Sequence, residues 1–158
     1  MRNREVKSQL DGRQETAIVS KHPGATADQV KHFQDYFLFN DKPDRVIISA
    51  GMNDLLYEKE NANPAEVVER VINIGKRAGE RGVRDIFILG LYQVDGIDVN
   101  SFNSILKQRC FELNFGYVHN SNIEKDDLFD GLHVNNRVGA NKLKHNVMQC
   151  FTTYIHNR

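Results

Sequence analysis

The stretch RVIISAGMNDL, residues 45–55, decides the fold. Val46, Ile47 and Ile48 form a continuous β-branched run, which is typical of a strand that is buried on both faces. Glycine and polar residues follow directly, so the chain is expected to leave the sheet there. A similar run, IFIL at residues 86–89, predicts a second buried strand.

Short apolar runs alternate with helical patterns along the chain, which predicts a mostly parallel sheet covered by helices. Strands are expected at Thr16–Ser20, Arg45–Ala50, Asp85–Leu91 and Gly116–His119. The order of elements predicts an α/β fold, a three-layer α/β/α sandwich of the flavodoxin-like kind. No linker or repeat divides the chain, so residues 1–158 are expected to form a single domain.

Capping signals mark the helices between these strands. Thr26 and Gln29 form a capping box before an apolar helical pattern. Asn63 and Pro64 supply an N-cap and a first-turn proline for the next helix. Apolar spacing predicts two further helices, at about Val99–Leu113 and Arg137–Tyr154.

Composition and charge exclude several classes of protein. Lys plus Arg and Asp plus Glu both total 21, and this zero net charge argues against a nucleic-acid partner. Zero charge also favours self-association. No apolar run approaches the roughly 20 residues that a membrane helix needs. The N-terminus lacks the apolar stretch of a signal peptide, so a cytoplasmic location without a membrane partner is expected.

The two cysteines, Cys110 and Cys150, lie in helical patterns among apolar neighbours. Buried free thiols in a reducing compartment are favoured over a disulfide or a reactive thiol.

Three short polar segments fall where predicted strands end or a helix is about to begin. They are HPGAT at 22–26, GMND at 51–54 and DGLHVN at 130–135. Because the carboxyl ends of parallel strands meet at one edge of a sheet, these segments are expected to converge there. Taken singly, each has an ordinary explanation as a turn, a helix cap or a loop ion pair.

Together these segments resemble those of the SGNH (GDSL-type) ester hydrolases, and the likeness runs from about Val6 to Phe151. The chain is similar in particular to the esterase-like domains of animal retrotransposon proteins. The matching stretches are His22–Thr26, Pro43–Ile47, Gly51–Leu55 and Gly131–Asn135.

This resemblance implies serine-dependent hydrolysis of a small acyl ester. His133 would be the general base and Asp130 the acid that orients it. The main-chain N–H of Gly24 and the side-chain amide of Asn53 would be the oxyanion donors. Asp54 and Asn135 are expected to be structural.

No cofactor is implied, since the sequence has no Cys-x-x-Cys pair, phosphate loop or nucleotide fingerprint. No role is predicted for His22 or His119, and no metal ligands are expected.

The Gly-Asp-Ser block that carries the nucleophile in this family does not occur in the sequence. Counting back from Val6 places Arg4 where the serine should stand. Ser8, expected on a helix, and Ser20, expected to end a strand, are the nearest hydroxyls, and neither is expected to substitute. Losing a triad nucleophile costs on the order of 10⁶ in turnover, so the chain as given is expected to be inactive.

Three explanations for the missing first strand remain open. The first explanation is that the sequence is truncated, and it is favoured because Met1 stands where the block should end. Alternatively, Thr16–Ser20 pairs directly with Arg45–Ala50, or a partner chain adds a strand along the open edge. The alternative function is that of a pseudoenzyme, a binding or assembly domain of a mobile-element protein.

Overall fold

The computed structural model describes the backbone of residues 3–10, 13–20 and 22–156, and the side chains of Ser20 and of residues 22–150. Its strands are β1 (Asn3–Leu10), β2 (Arg13–Ser20), β3 (Arg45–Ile48), β4 (Asp85–Leu89) and β5 (Gly116–Val118). Its helices are α1 (Ala27–Asp41), α2 (Met52–Glu58), α3 (Pro64–Glu80), α4 (Val99–Leu113) and α5 (Val138–His156). Within these ranges no helix combines the length and the apolar character that crossing a membrane requires.

The centre of the fold is β4, which lies between β3 and β5 in a three-stranded sheet. Both pairings are parallel, with Ile47 opposite Phe87 and Leu89 opposite Val118. Every residue of β4 is buried. Because all three strands run in one direction, the loops that follow them leave from the same edge of the sheet.

Alternate residues of β4 face different helical layers. Ile86 and Ile88 belong to the larger core, which they share with residues of α1, α3 and α4. Phe87 and Leu89 belong to a second cluster that includes Cys150 of α5. Helices therefore cover both faces of the sheet, and the predicted α/β/α sandwich is confirmed.

The predicted strand Thr16–Ser20 lies outside this parallel sheet. It belongs to β2, which pairs antiparallel with β1 in a separate two-stranded sheet. The alternative in which it pairs with Arg45–Ala50 is therefore wrong, and so is the helix expected around Ser8, which lies in β1. Strands that are close in sequence pair at a small cost in loop-closure entropy, which favours the hairpin. Met1 lies outside the described residues.

The other predicted elements are confirmed with small changes at their ends. Thr26 caps α1 with the full capping box to Gln29. Asn63 caps α3 through a bond to the Ala65 N–H, with Pro64 in the first turn. The short helix α2 was not predicted, because its seven residues are too few to show a helical period.

A buried network of amides fastens the chain after β5 to the rest of the fold. Asn146 of α5 donates from Nδ2 to the side-chain oxygens of Asn120 (2.9 Å) and Asn122 (2.7 Å). Asn120 in turn donates to the carbonyl of Gly90, directly after β4, at 2.7 Å. Buried amides are costly unless they are paired, so this network fixes the path of the loop that leads to residue 130.

Cys110 and Cys150 are buried free thiols, as predicted. Burial raises the pKa of both thiols to about 12. They are therefore protonated at neutral pH and have little nucleophilic character.

The core position of Phe102 leads to a stability prediction. Its side chain is fully buried, and its Cζ would lie 2.8 Å from a Cβ placed on Gly51. We expect Phe102→Ala to lower the free energy of unfolding by about 3–5 kcal/mol, measured by urea denaturation, because the ring leaves a cavity.

The matched control is Phe111→Ala on the same helix, where the side chain is 80% exposed. Its effect should stay within about 0.5 kcal/mol. Equal losses in the two variants would contradict the orientation of α4.

Candidate active site

The short helix α2 holds the turn at residues 22–26 against the end of β3. The Asn53 side chain donates from Nδ2 to the carbonyl of Ala25 at 3.0 Å. The Tyr57 hydroxyl donates to the carbonyl of Gly24, also at 3.0 Å. The structure therefore brings the segments of Gly24 and Asn53 together, although 28 residues separate Asn53 from its partner Ala25.

Asp54 provides the buried part of this connection. Its Oδ2 accepts the N–H of Ala27, the first residue of α1, at 2.9 Å. An anion at this position is favoured by the dipole of the helix. Its Oδ1 lies 3.4 Å from Arg70, which also pairs with Glu58. Asp54 thus fixes α2 relative to the start of α1.

The main-chain N–H of Gly24 and the side-chain amide of Asn53 each keep one hydrogen that no acceptor among the described residues uses. An asparagine amide nitrogen carries two hydrogens, and the bond to Ala25 occupies one of them. The N–H of Gly24 makes no hydrogen bond within the described ranges. Gly24 has a φ of +75°, a left-handed conformation that a side chain would strain.

Asp130 organises the loop that carries His133. Its Oδ1 accepts the main-chain N–H groups of Leu132 (2.9 Å) and His133 (2.6 Å). Its Oδ2 lies 2.6 Å from His133 Nδ1. The hydrogen bond with the His133 side chain, supported by the main-chain bonds, lowers the pKa of Asp130 to about 2.

The contact between Asp130 Oδ2 and His133 Nδ1 determines the tautomer of His133. An ionised carboxylate can only accept, so the hydrogen shared with Asp130 sits on Nδ1. In the neutral imidazole, Nε2 then carries the lone pair. The side chain of His133 is 62% exposed, so that this nitrogen is open to a proton donor from outside.

Tyr92 attaches this loop to the end of β4. Its hydroxyl donates to the carbonyl of Leu132 at 2.7 Å. Burial raises the pKa of Tyr92, so the hydroxyl keeps its proton at neutral pH. Closer to the loop, the N–H of Phe129 donates to the carbonyl of His133 at 3.0 Å.

The four residues singled out from the sequence thus form two pairs. Gly24 lies in the turn before α1, which Asn53 links to the end of β3. Asp130 and His133 belong to a loop that Tyr92 attaches after β4. Both places lie at the carboxyl edge of the parallel sheet. No hydrogen bond joins the two pairs in the described part of the chain. Among the same residues, no group of three or more His, Cys, Asp or Glu is placed to hold a metal.

One contact near Gly24 is not predicted from the sequence. His22 Nε2 lies 2.8 Å from Ser20 Oγ, and the ring stacks on Phe33 with centroids 4.5 Å apart. Burial lowers the pKa of His22. Its Nδ1 is buried and has no hydrogen-bond partner among the described residues.

The unpaired nitrogen indicates how the hydrogen of His22 is placed. A buried N–H without an acceptor is rarer than a buried acceptor without a donor, so the hydrogen belongs on Nε2. His22 then donates to Ser20 and does not accept its proton. The sequence assigns no role to His22 and does not mark Tyr57 or Tyr92. The two tyrosines make contacts over 33 and 40 residues, which no local pattern indicates.

The family model for the GDSL-like lipase/acylhydrolases matches residues 5–143. The chain belongs to that family. No curated protein matches the sequence of this GDSL-like domain.

Two solved structures share the fold of the GDSL-like domain. A Bacteroides fragilis protein described as an acylhydrolase superposes with a TM-score of 0.72 at 15% identity, covering 83% of this chain and 72% of that one. A Clostridium thermocellum family 3 carbohydrate esterase superposes with a TM-score of 0.61 at 19% identity, covering 81% and 65%. At these identities the likeness concerns the fold.

The bond between Asp130 and His133 leads to a prediction on titration. In His133→Ala, the pKa of the Asp130 carboxyl should rise from about 2 toward its ordinary 3.8, because its main hydrogen-bond donor is gone. Carbon-detected NMR of the carboxyl groups across pH measures this shift.

The sign of the linked stability follows from the lowered pKa. The pair stabilises the folded state above the ordinary pKa of 3.8, and this stabilisation is lost as the pH falls toward 2. Asp98 is the internal control, because its pKa is lowered by Ser101 and should not respond to the substitution. An unchanged midpoint for Asp130 in the variant would contradict the bond.

Proposed function

We propose that this GDSL-like domain is built for serine-dependent hydrolysis of a small acyl ester, and that the chain as given does not turn over. The observation that carries the first part is the 2.6 Å contact between Asp130 Oδ2 and His133 Nδ1. A histidine held in this way presents Nε2 as a base, which is the role that acyl transfer needs.

In the proposed reaction, His133 takes the proton of an attacking serine hydroxyl and gives it to the leaving alcohol. His133 then takes a proton from water, which attacks the acylated serine and releases the acid, and the proton returns to the serine oxygen. Asp130 stays ionised and stabilises the imidazolium that forms in between. The N–H of Gly24 and the amide of Asn53 receive the developing oxyanion. One such donor contributes about 2.7–4 kcal/mol to transition-state stabilisation.

The proposal of inactivity rests on the missing nucleophile. The sequence contains no Gly-Asp-Ser. Arg4 cannot serve as an alkoxide, and Ser8 belongs to β1. Ser20 is paired with a histidine whose other nitrogen has no carboxylate partner among the described residues. Without an oriented base, a serine hydroxyl is a weak nucleophile at neutral pH.

The alternative proposal is a pseudoenzyme that binds an acylated ligand or serves in assembly, as in a mobile-element protein. It is favoured by the combination of retained donors with no Gly-Asp-Ser. The Clostridium thermocellum relative is described as a carbohydrate esterase, so acetylated sugars are a suitable probe. A rise in Tm with these sugars, without release of acetate, would support this alternative.

We further propose a reducing cytoplasm as the location, because Cys110 and Cys150 are free thiols. Self-association would use β3, which forms one edge of the three-stranded sheet.

The decisive measurement is hydrolysis of a short-chain aryl ester. We expect no rate above background for the chain as given. A variant in which an apolar strand ending in Gly-Asp-Ser precedes Val6 should gain hydrolysis. In that background, Asn53→Ala should lower kcat by roughly 10²–10³ through loss of an oxyanion donor.

His133→Ala should abolish the activity gained in this way, whereas His119→Ala, a histidine exposed at the end of β5, should leave it intact. Hydrolysis that survives His133→Ala would refute the proposed base. Hydrolysis by the unextended chain that vanishes in His133→Ala would refute the proposed inactivity and reveal a substitute nucleophile.

A further inference from the structure

Phe129 is an exposed aromatic side chain placed directly against His133. The two rings are stacked, with centroids 5.8 Å apart and planes inclined by 22°. The Phe129 side chain is nevertheless 70% exposed, so most of the ring faces solvent. The main-chain bond from Phe129 to His133 and the bridge between Leu128 and Val134 hold the two side chains in this relation.

The chemistry of the proposed reaction indicates what occupies the space beside this ring. The leaving alcohol receives its proton from His133, so it must lie close to the imidazole when the ester bond breaks. The acyl oxygen points toward other residues, Gly24 and Asn53. A ring that covers one side of His133 is therefore next to the alcohol portion of the ester.

We infer that Phe129 determines specificity for the alcohol portion of the ester and favours alcohols that carry a ring with a flat apolar face. This inference rests on the proposed function and adds the substrate class. Aromatic rings and the C–H faces of sugar rings share this chemistry, because both pack well against an exposed phenyl ring.

Two other exposed phenylalanines lie elsewhere and provide matched controls. Phe39 of α1 is 79% exposed and Phe111 of α4 is 80% exposed. Phe39 lines a surface groove together with Pro43 and Val83, which precede β3 and β4. That groove is at the amino edge of the sheet, opposite the loop of Phe129.

The test is an NMR titration of the unmodified chain with small alcohols, following the imidazole resonances of His133. Benzyl alcohol and methyl glucopyranoside represent the two kinds of ring, and 1-butanol represents an acyclic alcohol. We expect a ring alcohol to shift the His133 resonances with a lower Kd than butanol. A response to benzyl alcohol alone identifies an aryl group, and a response to the glucoside identifies a sugar.

Substitutions locate the contact. Phe129→Ala should raise the Kd of the ring alcohol roughly 2- to 10-fold, the range expected for one aromatic contact. Phe129→Tyr should retain the affinity, because it keeps the flat ring. Phe39→Ala should have no effect.

The inference is overturned if neither ring alcohol perturbs His133, if Phe129→Ala binds as well as the parent, or if Phe39→Ala weakens binding equally. The pKa of Asp130, about 2 in the parent, reports whether the loop survives Phe129→Ala. If the loop does not survive, the affinities of Phe129→Leu and Phe129→Tyr for the ring alcohol are compared instead, because leucine keeps apolar volume without a flat face. Equal affinities of these two variants also overturn the inference.

These outcomes are separate from those of the proposed function. If the extended chain hydrolyses esters and its preference for the alcohol does not depend on Phe129, only this inference is refuted. If ring alcohols bind in a way that depends on Phe129 but the extended chain never gains hydrolysis, only the ester hydrolase proposal is refuted.

Discussion

The complete burial of β4 is the constraint on which the rest of the structure depends. The apolar residues 86–89 of this strand are covered on both faces, whereas its first residue, Asp85, is a buried carboxylate that pairs with Arg45. Polar groups therefore gather at the ends of the strand. Gly90 allows this transition, since a Cβ there would lie 2.4 Å from the Tyr117 hydroxyl. Its N–H bonds to Val118 at 2.7 Å, which joins the ends of β4 and β5 closely.

The short helix α2 organises the part of the candidate site around Gly24 and Asn53. This helix places the amide of Asn53, the carboxylate of Asp54 and the hydroxyl of Tyr57 on the turn before α1. A single short element thereby orients both the Asn53 side chain and the Gly24 main chain. Because Asp54 is buried, removing Arg70 leaves its carboxylate without this ion pair, which makes the connection sensitive to substitution.

The sequence predicts those parts of the fold that are determined by local patterns. The caps at Thr26 and Asn63 predict the helices α1 and α3. Continuous apolar runs predict the strands β3 and β4. The hairpin of β1 and β2 was not predicted. The strand β1 has no continuous apolar run, and the sequence of β2 resembles that of a strand in the main sheet.

The same distinction applies to the candidate site. Asp130 and His133 are close in sequence, so their contact could be expected from spacing alone. The contact of Tyr92 with Leu132 spans 40 residues, and that of Tyr57 with Gly24 spans 33. Contacts of this range depend on how the elements pack, which periodicity and capping do not specify.

The local character of the Asp130 loop has a practical consequence. Each hydrogen bond that Asp130 accepts comes from a residue at most three positions away. The contact between Asp130 and His133 is therefore set within the loop itself, and distant residues such as Tyr92 determine only where the loop lies. The contacts made by Asn53, in contrast, are lost once the tertiary structure loosens. A partly melted chain would react with a histidine-directed reagent such as diethyl pyrocarbonate much as the native protein does. Labelling of residue 133 is consequently a poor reporter of whether a preparation is intact.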